Sequence, residues 1–375
     1  MKRIAWFSFD WSINVYRQEN DLYGGIGYYR VIKPAQVLRQ WFDIEVIGAK
    51  FRDWGVKGGD VAYAYQRLEQ YDLIVSKHAH NAQMASNLLA TAEHYKKNLI
   101  TDVDDNYFAV RKNNPAIKDY DIGKEGRYNL STFLSLSSGL TVSTAPLKKV
   151  FKELNKKVDI FPNCNDVNDW PNVRKMWDDG TIRIGYPGAL GHLDDLDLIL
   201  EPMAYILAKY PNVVWEIIGL VPTEAMPMVN KMNAFCKKDI SKQVRIGGGT
   251  MAWQGYPELL ASFGWDIVVA PLVNDTFNQG KSHIKWMEAS MVRAAVVASE
   301  VYPYYQPIDG VKTIQHGITG FLASTSEEWY KYLDLLIKDK TLRKQTAENA
   351  YDYIKDNWQY VQWADKFKKV ITKYI

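Results

Sequence analysis

The chain has 375 residues, of which 47% are hydrophobic and 24% charged, and its formal net charge is +3. Such a composition is typical of a globular protein long enough for two domains, and the weak charge does not indicate a polyanionic partner. Two cysteines do not make a disulfide framework and favour a reducing compartment. We find no run near the roughly 20 apolar residues of a spanning helix and no signal-peptide pattern, so we expect a cytoplasmic protein.

Strands and helices alternate through the first half of the sequence. A long polar loop follows the first predicted strand, and His78 and His80 follow the third. Alternation of this kind predicts a parallel sheet with right-handed crossovers, whose strands open into a cleft at their carboxyl ends. The predicted strands are 4–9, 42–47, 72–76, 98–101, 140–142 and 158–161, and the predicted helices are 28–38, 82–95, 128–136 and 146–154.

Two groups of residues in this half are candidates for a site. Gly24 and Gly25 precede the first helix, where the backbone could approach a ligand closely, although an ordinary tight turn explains them almost as well. Asp102, Asp104 and Asp105 follow the strand at 98–101. They could bind a metal ion, act as a general base or anchor a substrate hydroxyl, or they could simply cap helices and turns. We take Asp102 and Asp104 as candidate catalytic residues and prefer Asp104.

The alternation stops and then restarts in the second half. The segment 162–180 is polar and contains two prolines, which is typical of a linker. After the next strand, a glycine-containing loop runs from Gly188 to His192, and we expect His192 to face the cleft. The predicted strands are 182–186, 213–218, 244–246 and 267–270, a helix is predicted at 194–210, and the last 50 residues have a helical pattern. We therefore expect two α/β halves with a cleft between them.

The segment 277–299 is the strongest candidate for a binding site. It reads FNQGKSHIKWMEASMVRAAVVAS, with apolar residues at helical spacing followed by a run typical of a buried parallel strand. The pattern predicts a helix from the N-cap Ser282 to about Arg293. Free backbone N–H groups and the helix dipole favour an anion at such a helix start. We interpret this helix start as a nucleotide-diphosphate site.

Over most of its length the chain resembles the GT-B glycosyltransferases, especially glycosyltransferase family four. The segment 281–299 is similar to the family's signature and places Glu288 at the second glutamate of its E-x7-E pair. Also similar are FPNCND, IGYPGALGH, VVWEIIG and GGIGYYRVIKPAQVL, the last of which contains Gly24 and Gly25. The K-S-x-x-K-x-x-E helix and the D-D-N string resemble a bacterial and phage subgroup. The resemblance implies two Rossmann-like domains, an acceptor domain at 1–165 and a donor domain at 178–357, with the final helix (358–375) crossing back to the first.

The sequence departs from the family at three places. The first glutamate of E-x7-E falls on Gly280, so a carboxylate expected to contact the donor sugar is missing. The family's Arg/Lys pair after the first donor-domain strand has no counterpart in GALGHLDDLD, and Lys281 and Lys285 could supply the lost positive charge. The histidine that often ends the fourth acceptor-domain strand is replaced by Asp102 and its neighbours.

The resemblance assigns roles to the residues around the helix start. Lys281, Ser282 and Lys285 can make charge-assisted contacts with phosphate oxygens, although the lysines could instead pair with Glu288 on a solvated helix face. Glu288 is expected to accept hydrogen bonds from two ribose hydroxyls. We count Lys281 and Glu288 among the candidate catalytic residues, together with Asp102 and Asp104. The remaining donor-side candidates, which would contact the diphosphate or the donor sugar, are Gly24, Gly25, Gly188, His192, Asn278, Gln279 and Gly280.

These residues predict a hexosyltransferase-like enzyme that moves a sugar from a UDP- or GDP-sugar to an acceptor hydroxyl, with retention of configuration implied by the resemblance. We expect no cofactor and no metal, since GT-B enzymes generally stabilise the departing diphosphate with basic residues and a helix dipole. The acceptor could be a glycan or a small molecule. Three alternatives stay open: a transferase acting on a hydroxymethylated base in DNA, a sugar-nucleotide epimerase, and a non-catalytic sugar-nucleotide binding protein.

Overall fold

The computed structural model describes residues 1–7, 23–47, 66–77, 82–172, 175–188, 190–248 and 252–375. The polar loop after the first strand and the histidines His78 and His80 lie outside these ranges. Within them, the strands form two six-stranded sheets in which every pair of neighbouring strands is parallel. The sequence prediction of two α/β halves is confirmed.

The first sheet has the order β2-β1-β3-β4-β5-β6. Its strands are β1 (Lys2–Phe7), β2 (Phe42–Ile47), β3 (Leu73–Lys77), β4 (Asn98–Val103), β5 (Gly139–Val142) and β6 (Val158–Ile160). Its helices are α1, made of Gly25–Gly27, the π-helical turn Tyr28–Ile32 and Lys33–Leu38, then α2 (Ala82–His94), α3 (Ile117–Tyr120), α4 (Glu125–Leu136) and α5 (Ala145–Phe151).

The second sheet has the order β12-β11-β10-β7-β8-β9. Its strands are β7 (Ile182–Pro187), β8 (Val213–Ile218), β9 (Val244–Gly247), β10 (Ile267–Ala270), β11 (Ala295–Ser299) and β12 (Phe321–Ala323). Between them come α6 (Leu193–Asp197), α7 (Leu200–Lys209), α8 (Pro222–Cys236), α9 (Tyr256–Phe263), α10 (Thr276–Gln279), α11 (Ile284–Met291) and α12 (Tyr302–Tyr305). The strand order reverses between β7 and β10, and ligands of open α/β sheets bind at such a switch point, outside the carboxyl ends of the strands.

The carboxyl-terminal helices follow the second sheet and return to the first. They are α13 (Ser326–Lys338), α14 (Lys340–Asn357) and α15 (Tyr360–Thr372). The Tyr360 hydroxyl donates to the backbone oxygen of Tyr29 in α1 at 2.8 Å, and the Phe367 ring stacks on Phe161 with centroids 3.7 Å apart. The predicted crossing of the last helix is confirmed. No helix in the described ranges combines the length and the apolar character that crossing a bilayer requires.

Tertiary packing changes two predicted elements near the cleft. Strand β4 continues through Asp102, which pairs with Thr141 of β5, so the first aspartate of the acidic string belongs to the sheet. The predicted N-cap Ser282 is wrong, because α11 begins at Ile284 after His283. Instead of capping the helix, the Ser282 hydroxyl accepts a hydrogen bond from Asn163 Nδ2 at 2.8 Å.

Candidate active site

The residues predicted to bind the sugar nucleotide meet at the carboxyl ends of β7 and β10 in the second sheet. The loop after β7 carries Gly188 and His192, and the loop after β10 leads through α10 to the start of α11. Lys285, in the first turn of α11, donates from Nζ to the backbone oxygen of Pro187 at the end of β7 (3.1 Å). Its ammonium lies 4.8 Å from the centroid of the Tyr186 ring. The structure therefore brings the β7 loop and the α11 lysine together at the switch point.

Asp195 organises this end of the sheet, although the sequence did not indicate it. Its carboxylate is fully buried and contacts His192 Nδ1 at 2.8 Å through Oδ2. Its other oxygen accepts from Arg111 Nη2 at 2.9 Å, from the Val273 N–H at 2.9 Å and from Asn278 Nδ2 at 2.8 Å. Burial raises the pKa of the Asp195 carboxyl, but the hydrogen bonds from His192 and Val273 outweigh it and hold the pKa at about 2. Asp195 is therefore an anion at neutral pH.

The charge of Lys285 influences the protonation of His192. The Lys285 ammonium, together with burial, lowers the pKa of His192 to about 4, against the stabilising contact with Asp195. Burial lowers the pKa of Lys285 to about 8. At neutral pH the imidazole is neutral, and the lysine still carries most of its positive charge. A second negative group at this point, such as a phosphate, would favour the charged form of both side chains.

Glu288 lies further along α11 and faces the first half of the chain. Its carboxylate accepts hydrogen bonds from the Tyr29 hydroxyl of α1 at 3.1 Å and from the Tyr256 hydroxyl of α9 at 2.9 Å. The side chain is buried, and burial raises its pKa to about 7 in spite of these two donors. The reading of Glu288 as a solvated surface residue is excluded. The Tyr29 and Tyr256 hydroxyls thus already occupy the carboxylate oxygens that we expect to accept hydrogen bonds from the ribose hydroxyls.

Lys281 lies between the two halves of the chain. Its ammonium pairs with Asp105 Oδ2 at 2.9 Å, and both side chains are about one-fifth exposed, at 21% and 23%. The same ammonium lies 4.5 Å from the centroid of the Phe277 ring. The positive charge expected to meet a diphosphate is thus held by a carboxylate of the first half in this structure.

Gly280 is closely packed against the first half of the chain. A Cβ atom at this position would lie 2.8 Å from Leu147 Cδ2 and 3.3 Å from the Phe277 backbone oxygen. Its own carbonyl accepts from the Thr144 hydroxyl at 3.0 Å. Helix α5 of the first half therefore packs directly on Gly280 and leaves little space for a side chain.

The remaining donor-side candidates are placed as follows. Asn278 is fully buried, and its Nδ2 also donates to the Val273 carbonyl at 2.9 Å. Gln279 is solvent-exposed and donates to Asn274 Oδ1 at 3.2 Å. A Cβ at Gly188 would lie 2.2 Å from Tyr186 Cε1, so the close approach of the loop to this ring requires glycine. Gly24 and Gly25 open α1, the helix whose Tyr29 reaches Glu288.

The aspartates at the end of β4 belong to a buried ion-pair network. Arg30 Nε donates to Asp102 Oδ1 at 3.0 Å, and the Thr141 hydroxyl donates to Asp102 Oδ2 at 2.7 Å. The Lys77 ammonium pairs with Asp104 and lies 3.9 Å from Asp102 Oδ1. The Asp102 side chain is 3% exposed, whereas that of Asp104 is 13% exposed. Asp104 is therefore the more accessible of the two. Within the described ranges no three His, Cys, Asp or Glu side chains form a group that could hold a metal ion.

Among the residues that the sequence analysis missed, Tyr29 and Tyr256 contact Glu288, and Asp195 contacts His192. Arg111 in turn contacts Asp195. Asp195 follows His192 by three residues at the start of a helix, and this spacing is a local signal that could have indicated the pair. For the other three there is no such signal, because each meets its partner through the fold.

Comparison with known proteins supports the architecture. No protein-family model and no curated protein matches the sequence. Solved structures do match. HepE of Anabaena in complex with UDP-glucose is 14% identical, with a TM-score of 0.66 over the full length of both chains. The sucrose-phosphate synthase of Thermosynechococcus elongatus is 11% identical, with a TM-score of 0.63 over 100% of this chain and 99% of that one. A glycosyltransferase of Rickettsia africae is 12% identical, with a TM-score of 0.65 over 99% and 98%. At these identities the likeness defines the architecture, and the chain has the GT-B fold.

Proposed function

We propose that this chain is a glycosyltransferase that moves a sugar from a nucleotide diphosphate to an acceptor hydroxyl, in line with the resemblance to family four. One observation carries the proposal. A partly desolvated lysine, Lys285, and the neutral imidazole of His192 lie beside the start of α11 at the switch point of a GT-B fold. Because HepE was crystallised with UDP-glucose and with UDP and glucose, a UDP-sugar is the first donor to test. We assign 178–357 as the donor domain and 1–165 with 358–375 as the acceptor domain.

The chemistry follows from the charge that develops during transfer. As the sugar leaves, negative charge accumulates on the diphosphate, and fixed positive groups at that point lower the barrier. Lys285 and the free N–H groups at the start of α11 would stabilise this charge, with Lys281 joining them once it leaves Asp105. No step in this scheme requires a metal ion, and we propose retention of the anomeric configuration.

On the acceptor side we propose Asp104 rather than Asp102. Asp102 has its oxygens occupied by Arg30 and Thr141 in a buried position. Asp104 follows the end of β4, and its carboxylate is the more exposed of the two. An acceptor hydroxyl hydrogen-bonded to Asp104 would compete with the Lys77 ammonium and with the Tyr107 hydroxyl, which lies 3.5 Å from Asp104 Oδ1.

A second candidate function is sugar-nucleotide binding without transfer. It is favoured by Gly280, where the packing of Leu147 leaves little space for the carboxylate that the family uses against the donor sugar. The two functions differ in one measurable respect, since only the transferase releases free UDP when an acceptor is present.

The experiment is calorimetric titration of the chain with UDP and UDP-glucose, followed by assay of UDP release with candidate acceptors. Lys285→Met should weaken UDP binding by at least about tenfold, as expected for the loss of one charge-assisted contact. Lys209→Met is the matched control, because Lys209 pairs with Asp334 on an exposed surface of the second half. If no UDP- or GDP-sugar binds the wild-type chain, or if Lys285→Met binds UDP as well as the wild type does, the proposal fails.

A further inference from the structure

Arg111 reaches from the first half of the chain to three carboxylates of the second. Its Nη2 lies 2.9 Å from Asp195 Oδ1, its Nε 3.2 Å from Asp275 Oδ2, and its Nη1 3.7 Å from Asp194 Oδ2. These carboxylates belong to the two segments that follow the switch-point strands: Asp194 and Asp195 lie in α6 after β7, and Asp275 caps α10 after β10. One guanidinium thus joins both segments to the acceptor half.

We propose that Arg111 is a positioning residue of the donor site. It fixes the Asp195 carboxylate, and through Asp195 it sets the orientation of the His192 ring that faces the donor. Formation of the donor site then depends on contact between the two halves of the chain. This inference rests on the proposed function and adds to it a residue of the acceptor half that prepares the donor site.

The division of contacts between the two Asp195 oxygens supports this role. Asp195 Oδ1 accepts hydrogen bonds from three donors: Arg111 Nη2, the Val273 N–H and Asn278 Nδ2. With Oδ1 held, Oδ2 has a fixed direction, and it meets His192 Nδ1 at 2.8 Å. Arg111 is the one cation among these four partners, so its removal would leave a fully buried carboxylate without its main charge compensation.

This geometry also sets the tautomer of His192. An ionised carboxylate only accepts hydrogen bonds, so the hydrogen of the neutral imidazole lies on Nδ1 and its Nε2 carries a lone pair. An Nε2 in this state accepts a hydrogen bond from a hydroxyl group of the sugar nucleotide. Lys285 then contacts the diphosphate. Without Arg111, Asp195 would no longer hold the ring in a single tautomer and orientation.

The test compares Arg111→Met, Arg111→Lys and a control in the same region, Arg127→Met. Arg127 Nη1 donates to the backbone oxygens of Phe108 and Tyr120, so the control perturbs the same loops through contacts within the first half. Two properties are measured: the imidazole ¹⁵N signals of His192, assigned with His192→Gln, and the Kd for UDP from calorimetry. The first reports on the tautomer and does not require a reaction.

We expect the wild-type His192 to show the Nδ1–H tautomer. Arg111→Met should mix the two tautomers and weaken UDP binding roughly tenfold, within the range usual for coupled sites. Arg111→Lys should give a smaller effect, because an ammonium keeps the charge but does not span three carboxylates. If Arg111→Met does not fold, the test is made with Arg111→Lys alone. Arg127→Met should leave the His192 signals unchanged.

Two outcomes would overturn the inference. If both Arg111 variants fold and keep the wild-type His192 signals and UDP affinity, Arg111 does not position the site. If Arg127→Met changes them as much as Arg111→Met does, the effect comes from general loosening of the first half. Failure of the proposed function is recognised separately, since in that case the wild-type chain itself binds no nucleotide.

Discussion

The contact between Lys281 and Asp105 leads to a prediction about donor affinity. If Lys281 binds the diphosphate, the donor must first displace Asp105 from the ammonium. Asp105→Asn keeps the shape of the side chain and removes its charge, so the ammonium becomes available. We therefore predict that this variant binds UDP more tightly than the wild-type chain does.

The magnitude follows from the geometry of the pair. At 2.9 Å, with an effective dielectric constant of about 20, the gross attraction is roughly 6 kcal/mol. Most of it is cancelled by desolvation, because burial raises the pKa of the Asp105 carboxyl even though Lys281 attracts its ionised form. Exposed ion pairs contribute about 1 kcal/mol or less, and we take about 1 to 2 kcal/mol for this partly buried one. The expected gain in UDP affinity is then about 5- to 30-fold.

Calorimetric titration with UDP at low ionic strength measures this gain directly, without turnover of a sugar donor. Asp159→Asn is the matched control. Asp159 is 19% exposed and pairs with Lys373 at 2.6 Å, so the control removes a comparable ion pair that joins β6 to the carboxyl-terminal residues. The reasoning is refuted if Asp105→Asn leaves the Kd for UDP unchanged or increases it, or if Asp159→Asn lowers the Kd equally.

Three further predictions concern stability. Because burial raises the pKa of Glu288 from 4.5 to about 7, the unfolded chain loses this proton at a lower pH than the native chain, so stability falls as the pH rises from 4.5 to 7. Glu288→Gln should remove that loss of stability, which is on the order of 3 kcal/mol. If the urea midpoint changes equally between pH 5 and pH 8 for the wild type and for Glu288→Gln, the prediction is contradicted. Gly280→Ala should destabilise the chain by about 1 to 3 kcal/mol. The effect should be smaller in a Leu147→Ala background, because the contact at 2.8 Å between the new Cβ and Leu147 is then removed. An equal effect in both backgrounds would exclude this contact as the cause. Arg30→Met leaves Asp102 buried without its main partner and should cost about 3 to 5 kcal/mol in thermal or urea unfolding; adding Asp102→Leu should restore part of it, and wild-type stability of the single variant would show that the pair is not needed.

The local rules of the sequence were sufficient for the architecture. Alternating strands and helices predicted both parallel sheets. The buried run at 294–298 was recognised because parallel strands are covered on both faces, and the strand lies at Ala295–Ser299. The same rules located the helix that carries Lys285 and Glu288 and the loop that carries His192. Each of these features depends on residues that are close in sequence, so a periodic pattern or a loop composition is enough to indicate it.

The partners of those residues were decided by the tertiary structure. Tyr29 and Glu288 are 259 positions apart, Lys281 and Asp105 are 176 apart, and Arg111 and Asp195 are 84 apart. Even Ser282, which has the chemistry of an N-cap, instead accepts a hydrogen bond from Asn163 of the other half. These contacts form only when the two sheets pack across the cleft. The sequence by itself therefore determined which groups carry charge and hydrogen-bonding capacity, while the packing of the halves decided which of those groups neutralise one another.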